Sequence, residues 1–181
     1  MFGSKKQQKH SLHLRRFEFL NEVISEFGDL ISVYGNGFHR VEHKAEAIDS
    51  FKYHLAVENH IGPHHWTEKL SDAFLGYSLP FYAGCPNAGE YFPEDAFIPI
   101  DIRDTKKAVD TIRAAIADNA FEKRLPAIIE ARRLVIEEYN LGNMIAKHII
   151  EENQKLETVP RVPTRIKSRH AIMRSGVLAF L

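Results

Sequence analysis

The segment YHLAVENHIGPHHWTEKLSDAFLGYSLPFYAG, residues 53–84, determines the predicted fold. An apolar run typical of a buried strand ends at Glu58 and Asn59, and a loop with three histidines follows. From Thr67 onward, apolar residues recur at helical spacing. A second apolar run then ends at Gly84. The order strand, loop, helix, strand is typical of a parallel sheet, so the sequence predicts a βαβ unit.

The edge of the predicted sheet where the first strand ends, at Glu58 and Asn59, is a candidate binding site. Ligands of parallel sheets lie outside the carboxyl ends of the strands. The next helix starts there too, and Thr67 suits its N-cap while Glu68 suits the positive end of its dipole. Lys69 does not suit that end, because a helix N-terminus repels a cation. The pattern indicates an anion site, for example for phosphate, or alternatively a lysine whose ammonium lies in water.

The composition limits the classes of protein to which the chain can belong. Its 181 residues correspond to one domain with at most a small appendage, and 44% of them are hydrophobic, enough for a core. The 24 basic and 24 acidic side chains cancel, which argues against a general nucleic-acid binder. One cysteine excludes an intrachain disulfide. No apolar run approaches the ~20 residues of a membrane span, and the first ten residues lack the apolar core of a signal peptide.

Apolar periodicity and helix-breaking residues predict the remaining elements. A first helix carries Arg15 and Arg16, and the turn at residues 35–37 is either a plain tight turn or a place where backbone approaches a ligand. The predicted helices span 12–27, 42–51, 121–138 and 140–150, with one more capped by Asp101 or Asp104, and the predicted strands span 30–34 and 96–100. Pro126 is expected to start or interrupt its helix. Together these elements predict a three-layer α/β domain with a parallel sheet.

The loop histidines His60, His64 and His65, with Glu58, are candidate metal ligands. Zinc ligands occur at fixed spacings on rigid elements, and this spacing matches no metal motif. Histidines that face solvent or a ligand are therefore favoured. Cys85 follows a strand end without a nucleophile motif around it, so a buried thiol is favoured. The sequence contains no Walker loop, dinucleotide fingerprint or nucleophile elbow.

The last part of the chain, residues 158–181, differs from the rest in composition. It contains two prolines and five Lys or Arg side chains but no acidic one. Proline prevents a continuous helix through residues 160–163. The segment is typical of a solvated terminus, and alternatively of a basic tail that binds an acidic membrane surface or a partner. We therefore separate a domain at residues 1–157 from a basic C-terminal tail at residues 158–181.

Residues 52–84 resemble the most characteristic motif of the family-10 glycosyltransferases, the α-1,3/α-1,4-fucosyltransferases. The shared features are an aromatic-rich strand ending in Glu-Asn, a Thr-Glu-Lys that opens a helix, and a strand ending in Pro-x-Tyr-x-Gly. Three other segments are similar too: HLRRFEFL at 13–20 to the family's arginine-bearing helix, YGNG at 34–37 to its glycine turn, and FPEDAFIPIDI at 92–102 to its aspartate-containing strand. The resemblance extends over residues 4–140.

The resemblance implies a fold and a reaction. Members of the family have a GT-B architecture, in which two Rossmann-like domains face a cleft. This chain resembles the C-terminal half, a Rossmann-like parallel sheet flanked by helices, so residues 1–157 are expected to be a domain that binds GDP-fucose. The enzymes are inverting, and the general base that deprotonates the acceptor hydroxyl is expected in the N-terminal domain. No cofactor and no metal is expected, because cationic side chains can offset the charge on the leaving diphosphate.

The motif also implies the contacts to the donor. Arg16 and Lys69 are expected at the diphosphate, where a bidentate arginine suits a phosphate. Four residues are expected around the ribose, the base and the sugar: Glu58, Asn59, Thr67 and Glu68. His65 and Trp66 stand where the family often has a tyrosine, so either ring is a candidate to stack on the donor or to bond to it. This assignment agrees with the independent interpretation of Lys69 as the lysine of an anion site.

The resemblance further implies partners and leaves alternatives. The expected partners are a GDP-sugar donor, a glycan acceptor and, through the tail, an acidic membrane surface, but no nucleic acid. The acceptor domain and the first strand of the donor domain are expected to be missing, which would expose a sheet edge and leave the chain incomplete for catalysis. The expected location is cytoplasmic, or peripheral to the inner membrane in a bacterium. The alternatives are a non-catalytic nucleotide-binding remnant or interaction module, and a domain for another GDP-sugar.

Overall fold

The architecture is given by a computed structural model, which describes residues 2–4 and 11–156 of the 181-residue chain. The chain divides into two compact units, residues 1–140 and 141–181, which are described separately. The described strands and α-helices of the first unit are, in chain order, β1 (Phe2–Ser4), α1 (Ser11–Phe27), β2 (Tyr34–Asn36), β3 (Tyr53–Val57), α2 (Glu68–Leu75), β4 (Leu79–Ala83), β5 (Ile98–Pro99), α3 (Thr105–Ala117) and α4 (Ala120–Glu137).

The described strands pair in parallel, as the sequence predicted. β3 pairs with β4 in register from Tyr53 opposite Leu79 to Val57 opposite Ala83. β5 joins the other side of β4, which gives the strand order β3-β4-β5. β1 and β2 form a separate two-stranded parallel sheet. Because β3 and β4 end at the same edge, the residues that follow each of them are brought together.

The side chains of the central sheet alternate between two cores. Leu55 and Val57 of β3 lie in one core, whereas Ala56 between them lies in the other. β4 repeats this pattern, with Phe81 in the first core and Tyr82 in the second. α1 and α3 complete the first core with Phe19, Leu20, Val23, Ala108, Val109 and Ile112, and α2 and α4 complete the second with Leu70, Phe74, Ala131 and Val135. One helix pair therefore covers each face, and the predicted parallel sheet flanked by helices is confirmed.

A strand is present at residues 2–4, which differs from the expectation that the first strand is missing. β1 pairs with β2, with Phe2 opposite Tyr34 and Ser4 opposite Asn36. β2 begins later than the predicted strand at 30–34, because residues 28–30 form a 3₁₀ helix instead. The strand consequently includes Gly35, whose φ of 122° is readily adopted only by glycine.

Two other elements are shorter than predicted. The helix expected over residues 42–51 is reduced to a 3₁₀ helix at Lys44–Ala47. Its first residue, Lys44, forms an ion pair with Asp72, and this ion pair attaches the 3₁₀ helix to α2. The strand expected over residues 96–100 is present as the two-residue β5.

α4 continues through Pro126, where the sequence predicted a start or an interruption. The helix begins six residues earlier, at Ala120, so the proline lies inside it and removes one hydrogen bond of the helix. Three residues that follow, Ile128, Ala131 and Val135, are buried. Burial of this apolar face outweighs the loss of one backbone bond, so the helix is not broken.

β3 also contains a buried histidine. The exposure of His54 is 4%. Burial lowers the pKa of His54 to about 3, and the positive charge of Lys44 acts in the same direction. The imidazole is therefore neutral in the folded protein at neutral pH, and protonation opposes folding.

The second unit contains α5 (Leu141–Leu156), which extends beyond the predicted end at residue 150. Its apolar residues recur at helical spacing, as predicted, and at least half of the surface of each is exposed: Leu141, Met144, Ile145 and Ile149. Among the described residues, no helix has the length and the apolar character needed to cross a membrane. The tail at 158–181 lies outside the described residues, so its membrane or partner contact and the location of the protein stay predictions.

Candidate functional site

Glu58 is the centre of a polar cluster at the carboxyl edge of the central sheet. Pairing with β4 continues one residue beyond β3, because the N–H of Glu58 donates to the carbonyl of Ala83 at 2.8 Å. Strand alternation then places the carboxylate on the same face as Ala56, and the exposure of Glu58 is 0%. A buried carboxylate needs hydrogen bonds and a nearby cation, and Glu58 has both.

Thr67 binds both oxygens of that carboxylate. Its N–H donates to Oε1 of Glu58 at 2.9 Å, and its hydroxyl donates to Oε2 at 2.6 Å. The same hydroxyl accepts the N–H of Lys69 at 3.4 Å, which is the predicted N-cap bond of α2. These bonds attach the N-terminus of α2 to the end of β3 and fix the place of the helix on the sheet.

Tyr82 and Gly84 support Glu58 from the neighbouring strand. The hydroxyl of Tyr82 lies 3.5 Å from Oε1 of Glu58 and accepts the N–H of Cys85 at 2.9 Å. Burial raises the pKa of Tyr82, so its hydroxyl stays protonated. A Cβ on Gly84 would lie within 2.5 Å of Cζ of Tyr82, and closer still to Cγ of Glu58. Only glycine fits between these two buried side chains.

The ammonium of Lys69 lies inside this cluster and not in bulk water. Its side chain is 19% exposed, and Nζ lies 2.9 Å from Oε1 of Glu68 and 3.2 Å from Oγ1 of Thr67. Oε2 of the buried Glu58 is 3.6 Å away. The hydrogen bond from Lys69 lowers the pKa of Glu68, so the carboxyl group of Glu68 is ionised at neutral pH. Lys69 therefore offsets two carboxylates at the start of α2.

Of the two consecutive arginines of α1, Arg16 is the one that reaches this edge. Its Nη1 donates to Oδ1 of Asn59 at 2.6 Å. Arg15 makes other contacts instead, with 3.2 Å from its Nη1 to Oε1 of Glu22 in the same helix and 2.7 Å from its Nη2 to Oγ1 of Thr105 at the start of α3. The side chain of Arg16 thus joins α1 to the residue that follows Glu58 in the chain.

The charges of Glu58 and Glu68 act on Arg16, so the arginine of α1 interacts electrostatically with the cluster around the start of α2. Burial lowers the pKa of Arg16, and the two carboxylates oppose this effect. An arginine stays protonated even with such a shift. The edge therefore combines two cations, Arg16 and Lys69, with two carboxylates.

Six of the seven predicted site residues lie in this cluster: Arg16, Glu58, Asn59, Thr67, Glu68 and Lys69. The seventh, His65, is exposed, and its ring centroid lies 5.2 Å from that of His60. Trp66 packs against aromatic residues of the second core, with ring centroids 5.0 Å from Phe92 and 5.4 Å from Tyr139. The structure thus separates His65 and Trp66, which the sequence treated as equivalent candidates.

The described residues include no group of three or more His, Cys, Asp or Glu side chains that could hold a metal ion. His64 contacts Tyr91 and Asn87, and its ring Nδ1 lies 2.7 Å from the hydroxyl of Tyr91. Cys85 is buried, as predicted, and its thiol donates to Oδ1 of Asn87 at 3.1 Å.

The sequence analysis did not identify the roles of Tyr82, Gly84 and Asn87. The first two belong to the Pro-x-Tyr-x-Gly pattern, so that pattern was the signal for a supporting role. Asn87 follows a proline in a loop and resembles an ordinary turn residue. Its bond with His64 joins it to a loop more than 20 residues earlier, and local sequence carries no signal for that bond.

The C-terminal model of glycosyltransferase family 10 (fucosyltransferase) matches residues 2–121, which is more than half of the chain. Among curated proteins, the alpha-(1,3)-fucosyltransferase FucT of Helicobacter pylori is 30% identical over 76 residues. That alignment covers 41% of this chain and 16% of the relative. The chain thus corresponds to a part of this longer protein.

Solved structures of α1,3-fucosyltransferase are similar in fold. A complex with GDP gives a TM-score of 0.56 at 25% identity, and a complex with GDP-fucose gives 0.55 at 25%. Each covers 68% of this chain, which spans 36% and 37% of the two solved chains. The predicted fold class, a parallel sheet flanked by helices as in the C-terminal half of a GT-B enzyme, is confirmed. The resemblance found in the sequence is confirmed as well, and the chain belongs to glycosyltransferase family 10, the fucosyltransferases.

Proposed function

We propose that this chain binds GDP-fucose and is the donor half of a fucosyltransferase that transfers fucose, with inversion, to a hydroxyl of a glycan. Family membership and the relatives solved with GDP and GDP-fucose support this proposal. The observation that carries it is the meeting of Arg16, Asn59 and Lys69 at one edge of the sheet, beside the N-terminus of α2. Parallel sheets bind nucleotides at this edge, and helix N-termini favour phosphates.

In this proposal the two cations bind the diphosphate. Nζ of Lys69 has three protons, and its closest anionic partner is Glu68, whose side chain is 61% exposed. A phosphate oxygen can therefore replace Glu68 at the ammonium, while Glu68 turns to the ribose hydroxyls. Arg16 offers a second set of donors, because its planar guanidinium has five N–H groups in a fork that suits a phosphate.

Glu58 has a positioning role in this proposal. Both of its oxygens accept bonds from Thr67, and its exposure is 0%, so a sugar or a base cannot reach it without disrupting the start of α2. It holds Thr67 and, through Thr67, the ammonium of Lys69. This differs from the direct donor contact that the family motif implied for Glu58.

The proposed chemistry needs two contributions. The cations offset the negative charge that grows on GDP as it leaves, and no metal ion is proposed for that step. A carboxylate outside this donor half deprotonates the acceptor hydroxyl, which attacks the anomeric carbon. Donor binding is therefore the part of the activity that these 181 residues are expected to perform.

A thermal-shift panel tests the proposal directly. GDP, GDP-fucose, GDP-mannose, UDP and ADP are each added to the full chain at concentrations up to several millimolar. GDP and GDP-fucose are expected to raise the melting temperature by about 3–5 °C at ten times Kd, because ligands stabilise the state that binds them. UDP and ADP are expected to have little effect.

Three results of the panel would count against the proposal in different ways. The absence of any shift with GDP would contradict donor binding itself. Equal shifts with GDP and ADP would contradict recognition of guanosine. A larger shift with GDP-mannose than with GDP-fucose would assign the domain to another GDP-sugar.

A further inference from the structure

A polar cluster lies next to the site, between the loop of residues 59–66 and the loop after β4. It consists of His64 from the first loop and Asn87, Glu90 and Tyr91 from the second. Oδ1 of Asn87 accepts the backbone N–H of His64 at 2.8 Å. Nδ2 of Asn87 lies 3.0 Å from Nδ1 of the His64 ring and donates to Oε2 of Glu90 at 2.9 Å. Asn87 therefore binds both the backbone and the ring of one loop residue.

The backbone of His64 explains why such a contact is needed. Its φ is 58°, in the left-handed region, where the Cβ of a residue other than glycine is crowded by the backbone. The imidazole is exposed, so little burial compensates for this crowding. The bond from the His64 N–H to Asn87 and the 2.7 Å contact between Tyr91 and the ring hold the residue in that conformation.

The place of His64 in the chain connects this strained residue to the site. The loop starts at Asn59, which is bound by Arg16, and ends before Thr67, which caps α2 and binds Glu58. Its other residues from 60 to 65 are mostly exposed, so they make little core contact. A backbone turn fixed at His64 therefore sets where the two ends of the loop, both of them part of the site, lie relative to each other.

We propose that Asn87 is a positioning residue for the donor site, which holds His64 in the left-handed conformation and thereby fixes the loop from Asn59 to Thr67. The inference rests on the proposed function for the identity of the ligand. The ordering of the loop does not depend on that identity, and it can be measured separately.

The experiment compares the full chain with Asn87→Ala by amide-resolved hydrogen exchange and by calorimetric titration with GDP. The informative amide is that of Thr67, which donates to Glu58 and not to Asn87. Its exchange is expected to be about tenfold faster in Asn87→Ala because the loop opens more often. The affinity for GDP is expected to fall about tenfold, as for loss of one hydrogen bond that orders a binding loop. The amide of Leu79, which donates to Lys52, is expected to keep its exchange rate.

Two further variants separate positioning from general destabilisation. Asn21→Ala removes an exposed asparagine of α1 and is expected to change neither measurement. Adding His64→Gly to Asn87→Ala is expected to restore most of the protection of Thr67 and most of the GDP affinity, because glycine adopts a positive φ without the steric penalty that the Cβ of His64 brings. If Asn87 only stabilised the fold in general, the change at His64 would restore neither the protection of Thr67 nor the affinity for GDP.

The outcomes are distinct. Unchanged exchange of the Thr67 amide in Asn87→Ala overturns the proposal, and so does a double variant that exchanges as fast as the single one. If the unmodified chain does not bind GDP, the proposed function fails, while the exchange of Thr67 still decides whether Asn87 orders the loop.

Discussion

Replacing Gly84 with alanine is expected to destabilise the protein by about 3 kcal/mol or more, since a side chain is forced into a closely packed interior. The new Cβ would lie within 2.5 Å of Cζ of Tyr82 and closer still to Glu58. Neither neighbour can move into solvent, because their exposures are 2% and 0%. Moving Tyr82 would also break its bond with the N–H of Cys85, and moving Glu58 would release Thr67 from the end of β3.

Urea unfolding of the full chain measures this effect, with Gly89→Ala as the matched control. A Cβ at Gly89 would meet Cγ of Glu94 at 3.3 Å, and Glu94 is exposed and can rotate away. The control is expected to lose less than about 1 kcal/mol, as is usual for surface substitutions. If the two variants lost similar amounts of unfolding free energy, Gly84 would not be needed for the close approach of the two strand ends.

The buried His54 is expected to make the stability of the protein depend on pH below neutrality. The unfolded chain binds a proton at a pKa of about 6.5, whereas the pKa of His54 is about 3 in the folded state. Between these values only the unfolded state is protonated, so stability falls as the pH falls. The slope approaches about 1.4 kcal/mol per pH unit, which corresponds to a loss of about 2 kcal/mol between pH 7 and pH 5.

The comparison of unfolding free energies at pH 7 and pH 5 tests this expectation. His54→Gln keeps a neutral polar side chain but cannot titrate, so its loss between the two pH values is expected to be smaller than that of the unmodified chain by about 2 kcal/mol. His148→Gln, which removes an exposed imidazole from α5, is the control. If the unfolding free energy fell equally in His54→Gln and in the unmodified chain between pH 7 and pH 5, the lowered pKa of His54 would be contradicted. This comparison does not depend on the absolute stability of the variant.

The β3-α2-β4 segment could be predicted from the sequence because its signals are local. A buried strand, a helix cap and helical periodicity each involve residues within a few positions of one another. Thr67 is the N-cap in the structure, and the strands on both sides of α2 lie where the apolar runs indicated. The family motif also selected Arg16 and not Arg15, and Arg16 is the arginine that reaches the edge of the sheet in the structure.

The burial of Glu58 could not be predicted in the same way. Two polar residues after an apolar run indicate the end of a strand, and both are expected at the solvent edge. Pairing with Ala83 continues for one more residue, however, and turns the side chain of Glu58 inward while Asn59 remains exposed. Whether a strand pairs for one residue more depends on its partner, which the local sequence does not specify.

The other differences have the same origin in long-range contacts. The run at 30–34 has an apolar composition typical of a strand, yet Leu30 is 89% exposed and β2 starts at Tyr34, where β1 pairs with it. The local rule predicts that Pro126 breaks its helix, but the packing of α4 against the sheet keeps the helix continuous. The contact between Asn87 and His64 joins two loops and has no local signal at all.

In the proposed function, Lys69 and Arg16 together bind the diphosphate of a guanosine nucleotide. In the structure the ammonium of Lys69 also contacts Thr67 and lies 3.6 Å from the buried carboxylate of Glu58. Loss of the lysine could therefore weaken binding by disturbing the cluster as well as by removing a phosphate contact. These two effects can be distinguished with GMP, which lacks the second phosphate of GDP. Loss of a direct contact with the diphosphate weakens the binding of GDP more than that of GMP, whereas a disturbed cluster weakens the binding of both.

Calorimetric titration of GDP and GMP into the full chain and into Lys69→Met is the most direct test, with Lys106→Met, an exposed lysine of α3, as the control. Lys69→Met is expected to weaken GDP binding by about tenfold to a hundredfold, the effect of losing a charged hydrogen bond, and to weaken GMP binding less. The control is expected to bind both nucleotides like the unmodified chain. Equal GDP affinities of Lys69→Met and the unmodified chain, or equal losses for GDP and GMP, would contradict the account.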